Sequence, residues 1–75
     1  MPYSKTRVIG KLEKGCKVVY YYDYWNGSAY VRKKKEGFFV DFTRSGRLKL
    51  RFWGNEHFTY MQIDEDSENY LIVKK

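Results

Sequence analysis

The sequence predicts an all-β fold, a small antiparallel β-barrel of five to seven short strands with meander connectivity. Cationic and apolar residues alternate strictly from Arg47 to Trp53, which is the pattern of a half-buried strand. Glycines from Gly15 to Gly54 separate the apolar runs at intervals of eight to twelve residues, the rhythm of short strands and turns. No segment keeps a helical period, so no helix longer than a short turn is expected.

Chain size sets the expected organisation. The 75 residues correspond to one domain, 1–75, near the lower limit at which a hydrophobic core alone is sufficient. Aromatic residues make up 20% of the chain, so large rings must supply much of the buried area. No linker, repeat or low-complexity segment interrupts the sequence.

Apolar runs between turn signals define seven candidate strands. The alternation within them places Leu48 and Leu50 in a core, with Arg47, Lys49, Arg51 and Trp53 on the opposite face. The candidate strands, in order, are 6–12, 16–25, 28–35, 38–43, 47–53, 57–63 and 69–74. The other core residues expected from this pattern are Val18, Val31, Val40 and Phe42.

Turns are expected where glycine follows a polar residue. Asn26-Gly27 is the clearest hairpin signal, because a type I′ turn needs positive φ at both central residues. Weaker signals of the same kind are Glu36-Gly37, Ser45-Gly46 and Gly54-Asn55. The last turn, within 64–69, has no glycine and depends on Asp and Asn.

Few residues suit catalysis or metal binding. With one cysteine, Cys16, and one histidine, His57, the chain has neither a disulfide framework nor the ligands of an ordinary zinc cluster. The acidic run 64–68 resembles a calcium loop but lacks the required glycine, and Lys75 stands where the last ligand, a glutamate, belongs. The sequence therefore predicts no enzyme activity, no metal and no cofactor.

Targeting signals are also lacking in the sequence. No apolar run approaches the ~20 residues of a membrane span. The segment Met1 to Arg7 has no apolar core of the kind found in signal peptides. We therefore expect an intracellular protein, cytoplasmic or nuclear, without membrane contact.

The charge of the chain is uneven. Residues 1–55 contain thirteen Lys or Arg and four acidic residues, whereas 56–75 contain two and five. Clustered cations bind phosphates and confer affinity more than sequence choice, so DNA or RNA is the expected partner. The alternative is a solvated face that keeps a marginal sheet soluble. The candidate nucleic-acid-binding residues are Arg32, Lys33, Lys35, Arg44, Arg47, Lys49, Arg51 and Trp53.

Aromatic residues near these cations are candidate stacking platforms for unpaired bases. Stacking tolerates any base because every base has a π-face. In a meander the strands 28–35 and 47–53 both flank 38–43, so their outward cations are expected to share one face with the rings. The candidate rings for stacking or for an aromatic cage are Tyr22, Tyr24, Trp25, Tyr30 and Phe39.

The runs Lys17-Val18-Val19-Tyr20, Trp25-Asn26-Gly27, Ala29-Tyr30-Val31, Phe39-Val40-Asp41-Phe42 and Ser45-Gly46 resemble SH3-like barrels, particularly Tudor domains. The resemblance covers about residues 15–50. It implies that Trp25, Tyr30 and Phe42 stand where Tudor domains often place cage aromatics for methylated Lys or Arg, which bind by cation–π attraction. Arg44 replaces the acidic residue common there and would repel such a ligand. The charge pattern is more similar to the barrels of retroviral integrase C-terminal domains and KOW modules, which bind nucleic acid.

Three functions from different classes follow. The first is a non-enzymatic barrel that binds nucleic acid through its basic strand face. The second is a protein-interaction module, either a Tudor-like reader or a small inhibitor that occupies a partner's nucleic-acid-binding site. The third is a structural subunit of a ribonucleoprotein. The sequence does not distinguish DNA from RNA or fix the oligomeric state.

Overall fold

The computed structural model describes residues 4–74 and has no helix among them. Met1–Tyr3 and Lys75, which entered the signal-peptide and calcium-loop arguments, lie outside the described residues. Within the described part of the chain there is no helix long and apolar enough to cross a membrane. The strands are β1 (Ser4–Ile9), β2 (Lys17–Trp25), β3 (Tyr30–Phe42), β4 (Leu48–Phe52), β5 (Thr59–Ile63) and β6 (Tyr70–Lys74).

The six strands form one closed barrel in the order β1-β5-β4-β3-β2-β6. Strands β2 to β5 are an antiparallel meander, and β6 pairs antiparallel with the free side of β2. The prediction of a small all-β barrel is confirmed, and this architecture is compatible with an SH3-like barrel. The connectivity is a meander only in part, because β1 lies between β5 and β6 and is parallel to both.

Strand β1 closes the barrel with help from the acidic connection between β5 and β6. The first half of β1 pairs with β5 and its second half pairs with β6. The connection between them bonds to β1: the Asp64 amide donates to the Thr6 carbonyl, and the Arg7 amide donates to the Asn69 carbonyl, both at 2.9 Å. The acidic run 64–68 is thus a structural turn, as its composition indicated.

Strand β3 is continuous where the sequence predicted two strands and a turn. Glu36 and Gly37 lie inside β3, and Gly37 is buried opposite Phe52 of β4. The predicted Glu36-Gly37 turn is therefore wrong, and the candidates 28–35 and 38–43 are one strand. A β-bulge between Phe39 and Asp41 adds one residue, Val40, to this strand.

The core is built from alternate residues of the meander. Val18, Leu48 and Leu50 are fully buried, as predicted. The alternation predicted for β3 is wrong before the bulge, because Phe39 is inside and 1% exposed and Val40 is only half-buried. After the bulge Phe42 pairs with the buried Leu48 and faces the same side, but it is 49% exposed at the end of the strand. Val31, also expected in the core, is exposed. The remaining buried members of the core cluster are Tyr20, Phe52, Met61 and Leu71.

Strands β2 and β3 extend beyond the barrel as a two-stranded arm, residues 22–35. Their pairing continues to Trp25 and Tyr30, whereas β6 accompanies β2 only as far as Tyr21 and β4 pairs with β3 only from Gly37 onward. The arm explains the elongated shape, whose principal extents are 38 × 25 × 23 Å.

The Asn26-Gly27 hairpin is confirmed, but its turn type differs from the prediction. Gly27 has φ +96°, whereas no non-glycine residue among those described, Asn26 included, has positive φ. The loop is closed by the Asn26 side chain, whose Oδ1 accepts hydrogen bonds from the amides of Ser28 and Ala29, both at 2.9 Å. An Asx turn therefore replaces the type I′ turn.

Candidate functional site

Strand β4 presents two cations on the outer surface of the barrel. Leu48, Leu50 and Phe52 point into the core, so Lys49 and Arg51 point outward, as the alternation predicted. Trp53 follows the strand on the same side and is 61% exposed. Two candidate cations and one candidate ring are therefore on one face.

Neighbouring strands add aromatic residues to this surface. The registers place Phe38 of β3 beside Arg51, and Tyr60 of β5 beside Lys49. The Lys49 Nζ lies 4.2 Å and the Arg51 Cζ 5.6 Å from the centre of the Phe58 ring, a shared cation–π contact. We call this surface the β4 face; its residues are Phe38, Lys49, Arg51, Trp53, Phe58 and Tyr60.

Sequence reasoning missed three members of the β4 face. The Phe38 and Trp53 rings are 5.6 Å apart, but the sequence pattern indicated Phe39, not Phe38, as the outward ring of this segment. Tyr60 alternates with the buried Met61, and Phe58 immediately precedes β5. The period-two pattern of β5 was the signal that would have found Tyr60.

Two carboxylate residues lie beside the β4 face, Asp41 near Lys49 and Glu36 near Trp53, whose amide donates to the Glu36 carbonyl. Asp41 pairs with Lys49 across the β3–β4 ladder and forms an ion pair with Lys14, with 3.3 Å between Nζ and Oδ2. The hydrogen bond that Asp41 accepts from the Phe42 amide is the main reason its pKa lies below the usual value, and Lys14 and Lys49 lower it further. Asp41 is therefore ionised at neutral pH and reduces the positive potential near Lys49.

The other candidate cations do not join the β4 face. Lys33 and Lys35 have the same orientation along β3 as the buried Gly37, so they lie on the side of the strand opposite Phe38 and Arg51. The expectation that Lys33 and Lys35 share a face with the cations of 47–53 is therefore wrong. A continuous β3 preserves the alternation that the predicted turn would have reset.

Arg32 has contacts within the protein. Its Nε lies 3.3 Å from Asp23 Oδ1, its Nη1 donates to the Glu68 carbonyl at 3.4 Å, and its Cζ lies 5.3 Å from the centre of the Tyr70 ring. These contacts hold the arm against β6. Arg32 thus has a structural role at the base of the arm.

Arg44 and Arg47 belong to the turn between β3 and β4. Arg44 is exposed at the tip of this turn. Arg47 is half-buried; its Nη1 donates to Ser45 Oγ at 2.9 Å, and its amide donates to Thr43 Oγ1. Arg44 is the more accessible of the two candidate cations.

The candidate rings are distributed along the arm, with one exception. Trp25 and Tyr30 meet at its tip, with ring centres 5.0 Å apart. Tyr22 and Tyr24 lie within β2, between the tip of the arm and the barrel. Phe39 is buried in the core and is not a stacking platform, which corrects the prediction.

The three residues implied as a cage do not meet. Tyr30 begins β3 and Phe42 ends it, so Phe42 lies at the opposite end of the longest strand from Trp25 and Tyr30. The Phe42 ring instead packs edge-on against Phe39, with centres 5.0 Å apart. The resemblance to Tudor domains therefore does not extend to a three-ring cage.

A second basic region lies at the end of the barrel opposite the arm. An open groove of about 730 Å³ is lined by the lysines 11, 14, 17 and 74 together with Glu13 and Cys16, which is not in a disulfide. Residues 4–74 contain no group of three His, Cys, Asp or Glu residues able to hold a metal ion.

Comparison with protein-family models, with curated proteins and with solved structures finds no match to this chain.

Proposed function

We propose that this protein binds nucleic acid non-enzymatically, contacting phosphates with Lys49 and Arg51 while Trp53 and its neighbouring rings face the bases. An intracellular site of action, cytoplasmic or nuclear, is part of the proposal. The resemblance of residues 15–50 to integrase C-terminal and KOW barrels supports the same class of ligand.

One observation carries the proposal: two outward cations lie among exposed rings on a single sheet face. Lys49 and Arg51 contact Phe58 from neighbouring positions, and Trp53 lies beside Phe38 at the end of the strand. Exposed cation–π contacts contribute only about 0.5–1 kcal/mol, so a phosphate can displace the ring as the partner of each cation. Such a surface combines cations for the backbone with π-faces for bases.

The rigidity of the sheet supports this assignment. Leu48, Leu50 and Phe52 fix β4 from below, because all three are buried in the core. Lys49 and Arg51 therefore project from a backbone that is ordered before any ligand binds. A preorganised surface loses less conformational entropy on association than a flexible loop.

A nucleic-acid titration with a charge-reversed variant tests the proposal. We expect wild-type protein to bind oligonucleotides with a log–log salt slope of about −0.7 to −0.9 per phosphate contact. The Lys49→Glu, Arg51→Glu variant should lose binding and remain folded by circular dichroism, because both side chains face outward. Lys5→Glu, Lys11→Glu is the matched control, since it removes the same charge from exposed lysines off the β4 face.

Two results would contradict the proposal. Equal binding by the variant and its control would show that general charge, not the β4 face, holds the ligand. Absence of oligonucleotide binding by wild-type protein at low salt would make the basic surface a solubilising one. The protein-interaction module would then become the leading hypothesis.

A further inference from the structure

The arm has two faces with different chemistry. Residues directly opposite each other in an antiparallel ladder project to the same side. The pairs Tyr20↔Lys35 and Tyr22↔Lys33 therefore place tyrosines and lysines together on the side that continues the barrel interior. We call four residues of this side the tyrosine–lysine face: Tyr22, Tyr24, Lys33 and Lys35. The exposed Val31, opposite Tyr24, lies on the same side.

Carboxylates are confined to the other side of the arm and its base. Asp23 pairs with Arg32, and Glu36 pairs with Val19, in positions that alternate with those of the tyrosine–lysine face. The Asp23 carboxylate is also engaged by Arg32 at 3.3 Å. The formal charges on the tyrosine–lysine face are therefore all positive, which suits a polyanion.

The rings of this face are held in place from the core. Tyr22 stacks on the buried Tyr20, with ring centres 5.4 Å apart and an interplanar angle of 14°. Tyr24, two residues further along β2, is 48% exposed. Side chains two residues apart leave a strand about 6.6 Å from each other. Tyr24 therefore presents its ring beyond Tyr22 on the same side of the arm, where a base can stack on it.

The lysines lie against the rings without being fixed there. Lys33 Nζ is 4.3 Å from the centre of the Tyr24 ring, and Lys35 Nζ is 5.3 Å from that of Tyr22. Each ammonium group is on a flexible stem at an exposed site, where such a contact is weak. A phosphate can therefore take the lysine while a base takes the ring.

We propose that the tyrosine–lysine face is a second nucleic-acid-binding surface and that its ligand is a single strand, with a base stacked on Tyr24. This inference rests on the proposed function and deepens it by naming unpaired nucleic acid as the ligand. Paired bases have their π-faces covered by neighbours in the duplex, so only unpaired bases offer a surface to these rings.

Fluorescence anisotropy with labelled oligothymidylate and a labelled DNA duplex tests the inference through matched variants. Lys33→Gln and Lys34→Gln remove the same charge from adjacent residues on opposite sides of the arm. Tyr24→Ala and Tyr30→Ala remove one exposed ring from each side. Lys49→Gln, Arg51→Gln reports separately on the β4 face, and an acidic Glu/Asp peptide serves as competitor.

The expected result is specific to one side of the arm. Tyr24→Ala should weaken oligothymidylate binding at least about five-fold, the lower end of what one stacked base contributes, and leave duplex binding unchanged. Lys33→Gln should weaken it and lower the salt slope by about 0.7, the contribution of one phosphate on a single strand. Lys34→Gln and Tyr30→Ala should retain wild-type affinity, and the peptide should not displace the oligonucleotide.

The other outcomes overturn one proposal or both. Equal losses in the two members of either pair, or displacement by the peptide, would overturn the tyrosine–lysine face; the β4 proposal would stand if Lys49→Gln, Arg51→Gln still lost binding. Loss only in the arm variants would overturn the β4 face and retain the arm. Absence of binding by wild-type protein at low salt would overturn both.

Discussion

Gly37 and Phe52 approach so closely that β3 and β4 leave no room for a side chain at Gly37. A Cβ built there would collide with the Arg51 carbonyl oxygen and would lie 2.7 Å from the Phe52 Cα. Backbone atoms cannot rotate away as a side chain can. This contact explains why a residue that resembles a turn signal in the sequence lies within the longest strand.

Gly37→Ala should therefore destabilise the fold strongly. Overpacking usually costs about 1–3 kcal/mol, and a collision with backbone should reach or exceed the upper end. Gly54→Ala is the matched control: Gly54 has φ +85° but open space around it, so only the backbone penalty of about 1–2 kcal/mol applies. Urea unfolding measures both. Equal losses would contradict the assigned β3–β4 packing.

Substitutions of Gly27, at the tip of the arm, test the backbone conformation alone, because no atom packs against this residue. Its φ is +96° and nothing lies near a Cβ there, so Gly27→Val should lose stability through backbone strain alone, by about 1–2 kcal/mol. Gly27→Asn should lose less, because Asn tolerates positive φ better than a β-branched residue. Thermal unfolding of both variants is the measurement. Unchanged stability of the valine variant would argue against this loop conformation.

Because of Tyr20, the free energy of unfolding should depend on pH in the alkaline range. Burial raises its pKa above the usual value of 10.0, against the opposing effect of a hydrogen bond from the Asn69 side chain, and the neighbouring Tyr22 raises it further. The unfolded chain then loses this proton at lower pH than the folded protein. The contribution to stability is full below the unfolded pKa and falls as pH rises through it towards the folded pKa.

The comparison that isolates this effect is Tyr20→Phe. At neutral pH the variant should lose about 0.5–1.5 kcal/mol, the net value of one hydrogen bond. Above pH 10 the difference in free energy of unfolding between the variant and wild type should become smaller, because only the wild type has the buried phenol that ionises. Urea unfolding across this pH range gives both curves, and parallel curves would refute the assigned cause.

Trp53 should discriminate between single-stranded and duplex ligands. If a base stacks on this exposed ring, Trp53→Ala should weaken single-strand binding by about 1–3 kcal/mol and duplex binding less. Trp53→Phe retains a π-face and should recover part of the affinity. Anisotropy titrations measure both ligands under one salt condition. An equal loss on duplex would assign Trp53 a structural role instead.

The sequence predicted β4 well because its alternation is uninterrupted: Leu48, Leu50 and Phe52 are buried and Lys49 and Arg51 are not. Strand β3 was harder to predict. Its bulge at Val40 shifts the alternation by one residue, and Gly37 has a packing role that local sequence does not distinguish from a turn. The period-two pattern without the bulge therefore put Phe39 outside, and it did not indicate that Phe42, on the core side, is half-exposed at the strand end.

The residues of the candidate site could be predicted from the sequence only where the strand that holds them was predicted correctly. Lys49, Arg51 and Trp53 follow from one alternating segment, whereas Phe38 and Phe58 join them through pairings between strands distant in sequence. Lys33 and Lys35 were assigned to the wrong side because their orientation depends on β3 continuing past Gly37. The parallel pairing of β1 has no local signature at all.

That pairing also bears on how the chain assembles. During synthesis β1 leaves the ribosome before the other five strands, yet its hydrogen-bonding partners, β5 and β6, are the last two of the six to emerge. The β2–β5 meander has local contacts and can form early, whereas β1 must wait for contacts that span most of the chain, which slows folding. Until β1 and β6 are in place, β2 and β5 are unpaired sheet edges, and the nascent protein is most prone to aggregation in this interval.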